Sequence, residues 1–288
     1  MNYLVYLIFR AFVVLFRFMP FRLLYGLADI IYYIVYYIVG YRKTVVLENL
    51  RNSFPEKSKS EINRIAKAFY HHFADMLIES LKAFTMSEAA IIRRYKFNNS
   101  DVPDFYYKKG LSVICVAGHY GNWEWAGIAS GKQVLHRPIG FYKPLSNVYI
   151  DKYIQQTRVR GRSKLASIVK TIETFKTDWG EPAIFYMVAD QSPSSARLAY
   201  WVNFLNQDTA VLHGPEKYAR IYNLPVVFAS VNRIKRGYYT VDFKLMEATS
   251  DQTKTGELTA RFMQLLEDVI KANPEYYLWS HRRWKLKK

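Results

Sequence analysis

The sequence predicts an α/β fold: a mostly parallel central sheet flanked by helices, set behind an N-terminal helical membrane anchor. Three observations carry this expectation. Short apolar runs rich in β-branched residues alternate with longer segments of helical period, which is the pattern of strands joined by helical crossovers. A length of 288 residues suits one large domain, or one domain plus an appendage. Residues 1–41 are almost wholly apolar and aromatic, unlike anything that follows.

In that first segment only Arg10, Arg17, Arg22 and Asp29 interrupt the apolar sequence, and Pro20 divides it into two helical pieces. No uncharged run reaches the roughly 18–20 residues of a clear transmembrane helix. Arg10 and Arg17 are seven apart, so they share a helical face and can reach headgroups. The segment reads as a tilted span or an interfacial helical hairpin. A pair of core helices is the plainer alternative, but Tyr and Phe stand on every side. No small-residue site for signal cleavage follows the first apolar run. Arg42-Lys43 close the segment as a cytoplasmic flank would. The boundary therefore falls between an anchor at 1–41 and a domain at 42–288.

Helices are expected at 44–54, at about 59–84 and near 87–95, followed by a loop around 98–103. His71 and His72 read as partly buried polar residues of the second of these helices. Strands are expected at 112–117, 137–142, 183–189, 225–232 and 238–246, the last two joined as an antiparallel hairpin through Arg236-Gly237. Helices are expected at 122–130, 147–160, 164–177, 213–223 and 252–272. The basic, aromatic end from Trp279 to Lys288 suits a headgroup layer, or equally a solvated tail.

A net charge of +17 with 24 Tyr fits either nucleic acid or an anionic membrane surface. The apolar N-terminus favours the membrane, and no nucleic-acid-binding module is recognisable. The single Cys115 excludes an internal disulfide and any multi-Cys metal site, and it sits in a strand where it packs as core. No Cys/His group has metal-ligand spacing and no Gly-rich nucleotide loop occurs, so no metal and no cofactor is expected.

The chain is organised around residues 113–124, Val-Ile-Cys-Val-Ala-Gly-His-Tyr-Gly-Asn-Trp-Glu. A strand breaks at Gly118 and Gly121 and resumes as a helix with Asn122 as N-cap. Such a corner presents polar side chains at the carboxyl edge of the sheet, where open α/β folds bind ligands. Residues five apart on one continuous helix point about 140° away from each other. His119 and Glu124 therefore meet only if the glycine turn bends between them. A carboxylate on one imidazole nitrogen fixes the tautomer and leaves the other free to take a proton, which makes a general base with an orienting acid. Six His and 24 acidic residues yield about half a chance match to this spacing, and only His119 makes one.

Further candidates follow the other strands. Tyr142 and Lys143 close the second, with Arg158 beyond them suited to bind phosphate or an oxyanion. Arg160 and Arg162 read equally as solvated. Asp190 and Gln191 close a third strand at the edge that carries His119, where Asp190 could bind Arg158 or position the substrate. His213-Gly214-Pro215-Glu216 opens a helix whose N-terminus favours anions, and a plain helix start explains it nearly as well.

The block from Gly118 to Glu124 resembles the His-x4-Asp/Glu motif of glycerolipid-type acyltransferases, and more narrowly that of the lipid A late acyltransferases. The likeness extends along the chain. It takes in Arg42 to Leu50 with Phe54-Pro55, Phe69 to Phe73 leading to Glu79, and Tyr142 to Asn147 with Arg158. It continues through Ala189-Asp190-Gln191 and ends at Trp279 to Trp284. Val148, and Ser192 to Ser195, depart from the family pattern. The resemblance implies a glycerolipid-acyltransferase-like fold and an enzyme on the cytoplasmic face of the bacterial inner membrane. It would move a fatty acyl chain from acyl carrier protein, or from acyl-CoA, to a hydroxyl of a lipid A precursor. In that reading His119 is the base and Glu124 its partner, with Arg158 and Asp190 as supporting site residues. Asn122, Gln191, Tyr142 and Lys143 would bind substrate or support the oxyanion. The alternatives are another lysolipid acceptor (a lysophospholipid or an amino-acid lipid) and a non-catalytic lipid-binding protein of the same fold.

Overall fold

The computed structural model describes residues 1–159 and 161–288. Two apolar helices lead: α1 (Asn2–Phe18) and α2 (Phe21–Tyr33), which runs on through a π-helical turn at Ile34–Ile38. The helices α3 (Lys43–Ser53) and α4 (Lys59–Ala83) follow. A capping box starts α4: Ser58 Oγ accepts from the Glu61 amide, and the Glu61 carboxylate accepts from the Ser58 amide. Then come α5 (Glu88–Ile92), β1 (Tyr95–Phe97), α6 (Asp101–Tyr107), β2 (Val113–Ala117), α7 (Trp123–Ser130), β3 (Arg137–Tyr142) and α8 (Val148–Arg158). The chain continues through β4 (Lys164–Ser167), α9 (Thr171–Lys176), β5 (Ala183–Val188), β6 (Tyr200–Phe204), β7 (Gln207–Val211) and α10 (Gly214–Tyr222). It closes with β8 (Val226–Lys235), β9 (Tyr238–Glu247) and α11 (Glu257–Ala272).

Seven strands form the main sheet in the order β1-β9-β8-β2-β5-β3-β4. The five from β8 to β4 run parallel, and β9 turns back antiparallel to β8 with β1 parallel beside it. The expected hairpin through Arg236-Gly237 is therefore present. Buried on both faces, the central strands read as unbroken apolar runs. One face carries Cys115, Ile184, Val227 and Val241 against Trp125 and Ile128 of α7. The other carries Ile114, Val116, Phe185 and Phe228 in a larger core with α4, α10 and α11. Leu24, Ala28 and Tyr32 of α2 pack into that same core.

Several expectations need correction. Residues 164–177 are not one helix, because Lys164 to Ser167 pair with Ile139 to Tyr142 as the edge strand β4. The apolar spacing of Leu165, Ile168, Val169 and Ile172 imitates a helical stripe, yet Ile168, Val169 and Ile172 stand exposed. The helix near 87–95 stops at Ile92, where Tyr95 pairs with Tyr239. The loop around 98–103 already contains the start of α6. The separate hairpin β6–β7 was unforeseen: its turn uses Leu205 and Asn206 at positive φ rather than an Asn-Gly pair.

The C-terminal segment is not a free tail: Trp279, Ser280 and Arg283 are buried in the fold, while Arg282, Lys285, Lys287 and Lys288 are exposed. Trp279 is wholly buried, and Arg283 is 2 % exposed, donating to the Ala210 carbonyl at 2.6 Å. Asn49 of α3 donates to the carbonyls of Trp279 and His281 at 2.9 and 3.0 Å. Trp279→Ala is expected to cost about 3–5 kcal/mol through the cavity it leaves, measured by urea unfolding of the solubilised chain. A loss within about 0.5 kcal/mol, the range of surface substitutions, would return the segment to the solvated reading.

Candidate active site

Two neighbouring parallel strands build the centre of the site. Ala117 of β2 lies opposite Val188 of β5, and His119 and Asp190 each stand two residues further on. The Ala189 amide donates to the Ala117 carbonyl at 3.2 Å, so the pairing carries past the strand ends. His119 Nδ1 then donates to Asp190 Oδ1 at 2.6 Å. With its proton on Nδ1, the ring keeps a lone pair on Nε2, which accepts from the Gln191 amide at 3.2 Å. Trp123 meets the imidazole edge-on at 5.0 Å.

The turn after His119 is fixed from outside. Leu278 donates to the His119 carbonyl at 3.1 Å, and Gly121 donates to Tyr276 at 3.0 Å. Gly121 has φ +63°, and a β-carbon there would stand 2.8 Å from Val231 Cγ1, so both the backbone and the space require glycine.

This geometry corrects the expected partnership of His119. Its carboxylate is Asp190, not Glu124. The turn delivers Glu124 to the first turn of α7, where its carboxylate pairs with the Arg158 guanidinium. Asp190 therefore does not bind Arg158. Burial alone would push the His119 imidazole down. The Asp190 carboxylate outweighs that by charge and hydrogen bond, and the Glu124 charge adds to it, so His119 titrates above the ordinary range. Burial of Asp190 acts upward but is outweighed by His119, with the Arg283 charge adding, so its carboxyl sits below the usual range.

The other expected residues divide. Asn122 caps α7, accepting from the Trp125 amide at 3.2 Å, and its own amide donates to Glu79 at 2.7 Å. It is wholly buried, so it frames the site instead of facing a substrate. Tyr142 is partly exposed and Lys143 exposed, and neither lines the cavity described below. Arg162 donates to the Leu135 carbonyl and pairs with Glu181, while Arg160 lies outside the described residues. His213 is exposed and also outside the cavity lining. His72 is buried and pushed down to about 3, by burial first and then by the Arg233 charge, so it stays neutral.

Sequence reasoning gave no role to two groups. His281 Nε2 accepts from the Ser192 amide at 3.3 Å and steadies the loop after Gln191. Glu79 of α4, wholly buried, accepts from Tyr25 at 2.9 Å, from Asn122 at 2.7 Å and from Tyr239 at 2.8 Å, and its backbone carbonyl accepts from Trp125 Nε1 at 3.0 Å. The only sequence signal was an acidic residue inside an apolar helical stripe.

An apolar cavity of about 160 Å³ lies between α7 and the sheet; Gly118 and Trp123, which adjoin His119, are among its lining, and His119 and Asp190 are not. Gly118, Trp123, Glu124 and Arg158 line its mouth, and Tyr186 and Pro138 line it deeper down. Pro138 shares its register with Ile184 and so with Val113, five residues below Gly118. That is a depth of about 16 Å at roughly 3.3 Å per residue. Elsewhere, Asp29, His71 and Asp75 bring possible ligand atoms within 4.8 Å of one another. Arg233 and Arg236 already pair with both Asp75 oxygens, and Arg236 pairs with Asp29, so the trio is an ion-pair lattice docking α2.

A histidine–carboxylate pair at a strand end can take a proton from a hydroxyl, and an apolar cavity with a held guanidinium lies next to it. Over residues 1–286 the chain matches the model of the bacterial lipid A biosynthesis acyltransferase family, and it belongs to that family. It is 21% identical over 254 residues to the lipid A biosynthesis palmitoleoyltransferase of Escherichia coli K12, covering 85% of this chain and 79% of the relative. It is 24% identical over 257 residues to a lipid A biosynthesis acyltransferase of Haemophilus influenzae, covering 86% and 79%. The protein is thus an O-acyltransferase of lipid A biosynthesis.

Burial raises the Glu79 carboxyl from 4.5 to about 7, the nearby Asp75 charge adding and its three donors pulling back. Between those values the folded state holds a proton that the unfolded chain has lost, so stability falls as pH rises across that window. Glu79→Gln is expected to abolish a slope worth at most about 3 kcal/mol, read as the urea midpoint against pH. An unchanged slope would mean that Glu79 is ionised throughout.

Proposed function

We propose that the chain transfers a fatty acyl group from the thioester of acyl carrier protein to a hydroxyl of a lipid A precursor. His119 is the base and Asp190 its orienting carboxylate. The observation that carries this is the hydrogen-bonded His119–Asp190 pair next to an apolar cavity lined by Gly118, which precedes His119, and by Trp123, which packs on its ring. The acceptor hydroxyl takes the place of the Gln191 amide on Nε2 and gives up its proton there. Its oxygen attacks the thioester carbonyl carbon. A C–O bond forms as the C–S bond breaks, and the imidazolium returns the proton to the departing thiolate. Arg158, held by Glu124, stabilises charge on the carbonyl oxygen. The acyl chain occupies the cavity. The thioester is already activated, so these residues need no metal to perform the step.

The N-terminal helices serve as the membrane attachment, at the cytoplasmic face of the inner membrane. Along Phe21–Ile38, the one stretch among the described residues long and apolar enough to cross a bilayer, only 22% is buried. Leu23, Ile30, Tyr33 and Ile38 stand exposed, as do Leu4, Ile8, Leu15 and Phe18 of α1. Asp29, midway along α2, pairs with Arg236, which favours a helix lying in the interface over one leaving the domain to span. The +17 charge suits an acidic carrier protein and phosphorylated lipid.

The test offers acyl carrier protein donors with lipid A precursor and lysophospholipids side by side, read by mass spectrometry. His119→Ala is expected to lose about 10²–10⁴ in rate. Activity should rise with pH as the imidazolium deprotonates, with a midpoint above 6.5. Asp190→Asn should lower both the plateau and that midpoint, because the favouring charge is gone. A midpoint that moves with Glu124→Gln and not with Asp190→Asn would return the orienting role to Glu124. Product from lysophospholipid alone would keep the chemistry and change the acceptor. Added salt is expected to raise the donor Michaelis constant, and no change would overturn the electrostatic recognition of the carrier.

A further inference from the structure

Three glycines line the cavity: Gly118, Gly127 and Gly140. At Gly118 a β-carbon would stand 2.6 Å from the Leu266 side chain, and at Gly140 it would stand 3.3 Å from Leu165. Neighbours crowd a side chain at both. Gly127 differs, since a β-carbon there meets no atom within 4 Å. It lies in the interior of α7, away from both caps, where glycine is the least favourable residue after proline. Its backbone is not in the left-handed region, so conformation does not demand glycine either. Ser163 Oγ donates to its carbonyl at 3.2 Å, a contact any residue could make. Packing, conformation and hydrogen bonding leave the glycine unexplained. The remaining role is the space itself.

Gly127 stands about one helical turn, roughly 5 Å, below Glu124 at the mouth. Across the cavity are Tyr186, Ala229 and Val231 of the sheet. Gly127 is exposed and lines the cavity, so a side chain at 127 would enter open space and not the core. On the reading that the cavity holds the donor's acyl chain, we infer that Gly127 is the residue that admits long chains: its missing side chain keeps the passage open past the first turn of α7. The protein accepts a weaker helix in return for that opening.

The experiment uses the full chain in detergent with acyl carrier protein loaded with hexanoyl, decanoyl, lauroyl, myristoyl and palmitoyl groups in turn. Gly127→Leu is expected to raise the ratio of short-donor to long-donor kcat/KM by about tenfold or more. Gly127→Ala should shift the ratio the same way by less, while raising Tm by about 2 °C, because alanine is the better helix former. Damage to the fold would lower Tm and would not discriminate between donors. A ratio unchanged in both variants, with the parent protein active, would overturn this inference and leave the transfer reaction standing. A parent protein that uses none of the five donors would remove the reading on which it rests. A lower Tm in Gly127→Ala would show that the space is not free and overturn the inference as well.

Discussion

The buried carboxylate of Glu79 is the constraint on which the site depends. Its three donors come from different places: Tyr25 on the second apolar helix, Asn122 at the cap of α7, and Tyr239 on β9. One group thus ties the N-terminal helices, the helix of the site and the sheet to α4. Removing a carboxylate from water is costly, and three hydrogen bonds offset that only while all three elements are in place. The interaction therefore specifies the arrangement more than it stabilises the fold. It also explains why Asn122, which the motif places beside the His119 turn, is wholly buried.

The site contains two carboxylates near one imidazole and gives them different work. Asp190, 2 % exposed, reaches Nδ1 directly. Glu124 is satisfied by Arg158 and acts on His119 only through its field. Had both carboxylates bound the ring, the imidazolium would be favoured further and less base would be present near neutrality. Pairing Glu124 with Arg158 avoids this. It also holds a guanidinium at the cavity mouth, where a free side chain of that length would lose entropy on each encounter.

Much of this was legible in the sequence. The five strands of the central sheet that were expected are all present, because strands buried on both faces leave continuous apolar runs. His119 and Asp190 were both placed at the carboxyl edge. What failed was pairing. The spacing of His119 and Glu124 suggested a contact along the chain, whereas the actual partner comes from an adjacent strand 71 residues away. A local pattern carries no information about register. Each residue does stand two positions past its apolar run, and that shared offset was the usable signal. Lys164 to Ser167 misled for a related reason: an edge strand of four residues is too short to outvote the helical spacing that follows it. The C-terminal segment misled through composition, since Trp and Arg suit a headgroup layer and a buried plug alike.

The N-terminal helix α1 also packs against the helix that carries Arg158. Tyr3 and Tyr6 of α1 pack on Tyr149 at 5.2 and 6.0 Å, and Phe9 and Arg10 pack on Tyr153 at 5.7 and 4.4 Å. Both tyrosines belong to α8, no residue of which is buried. A helix of 11 residues is marginal alone, so α8 owes its order to what it touches. At its other end Arg158 pairs with Glu124. The helix that carries Arg158 is thus held at one end by an ion pair at the cavity lining and at the other by α1, whose outer face is apolar. Whatever solvates that outer face, water or lipid, bears on how firmly α8 is seated, and through α8 on where Arg158 stands. The exposed apolar surface of α1 and the Arg158 guanidinium are joined by a single short helix.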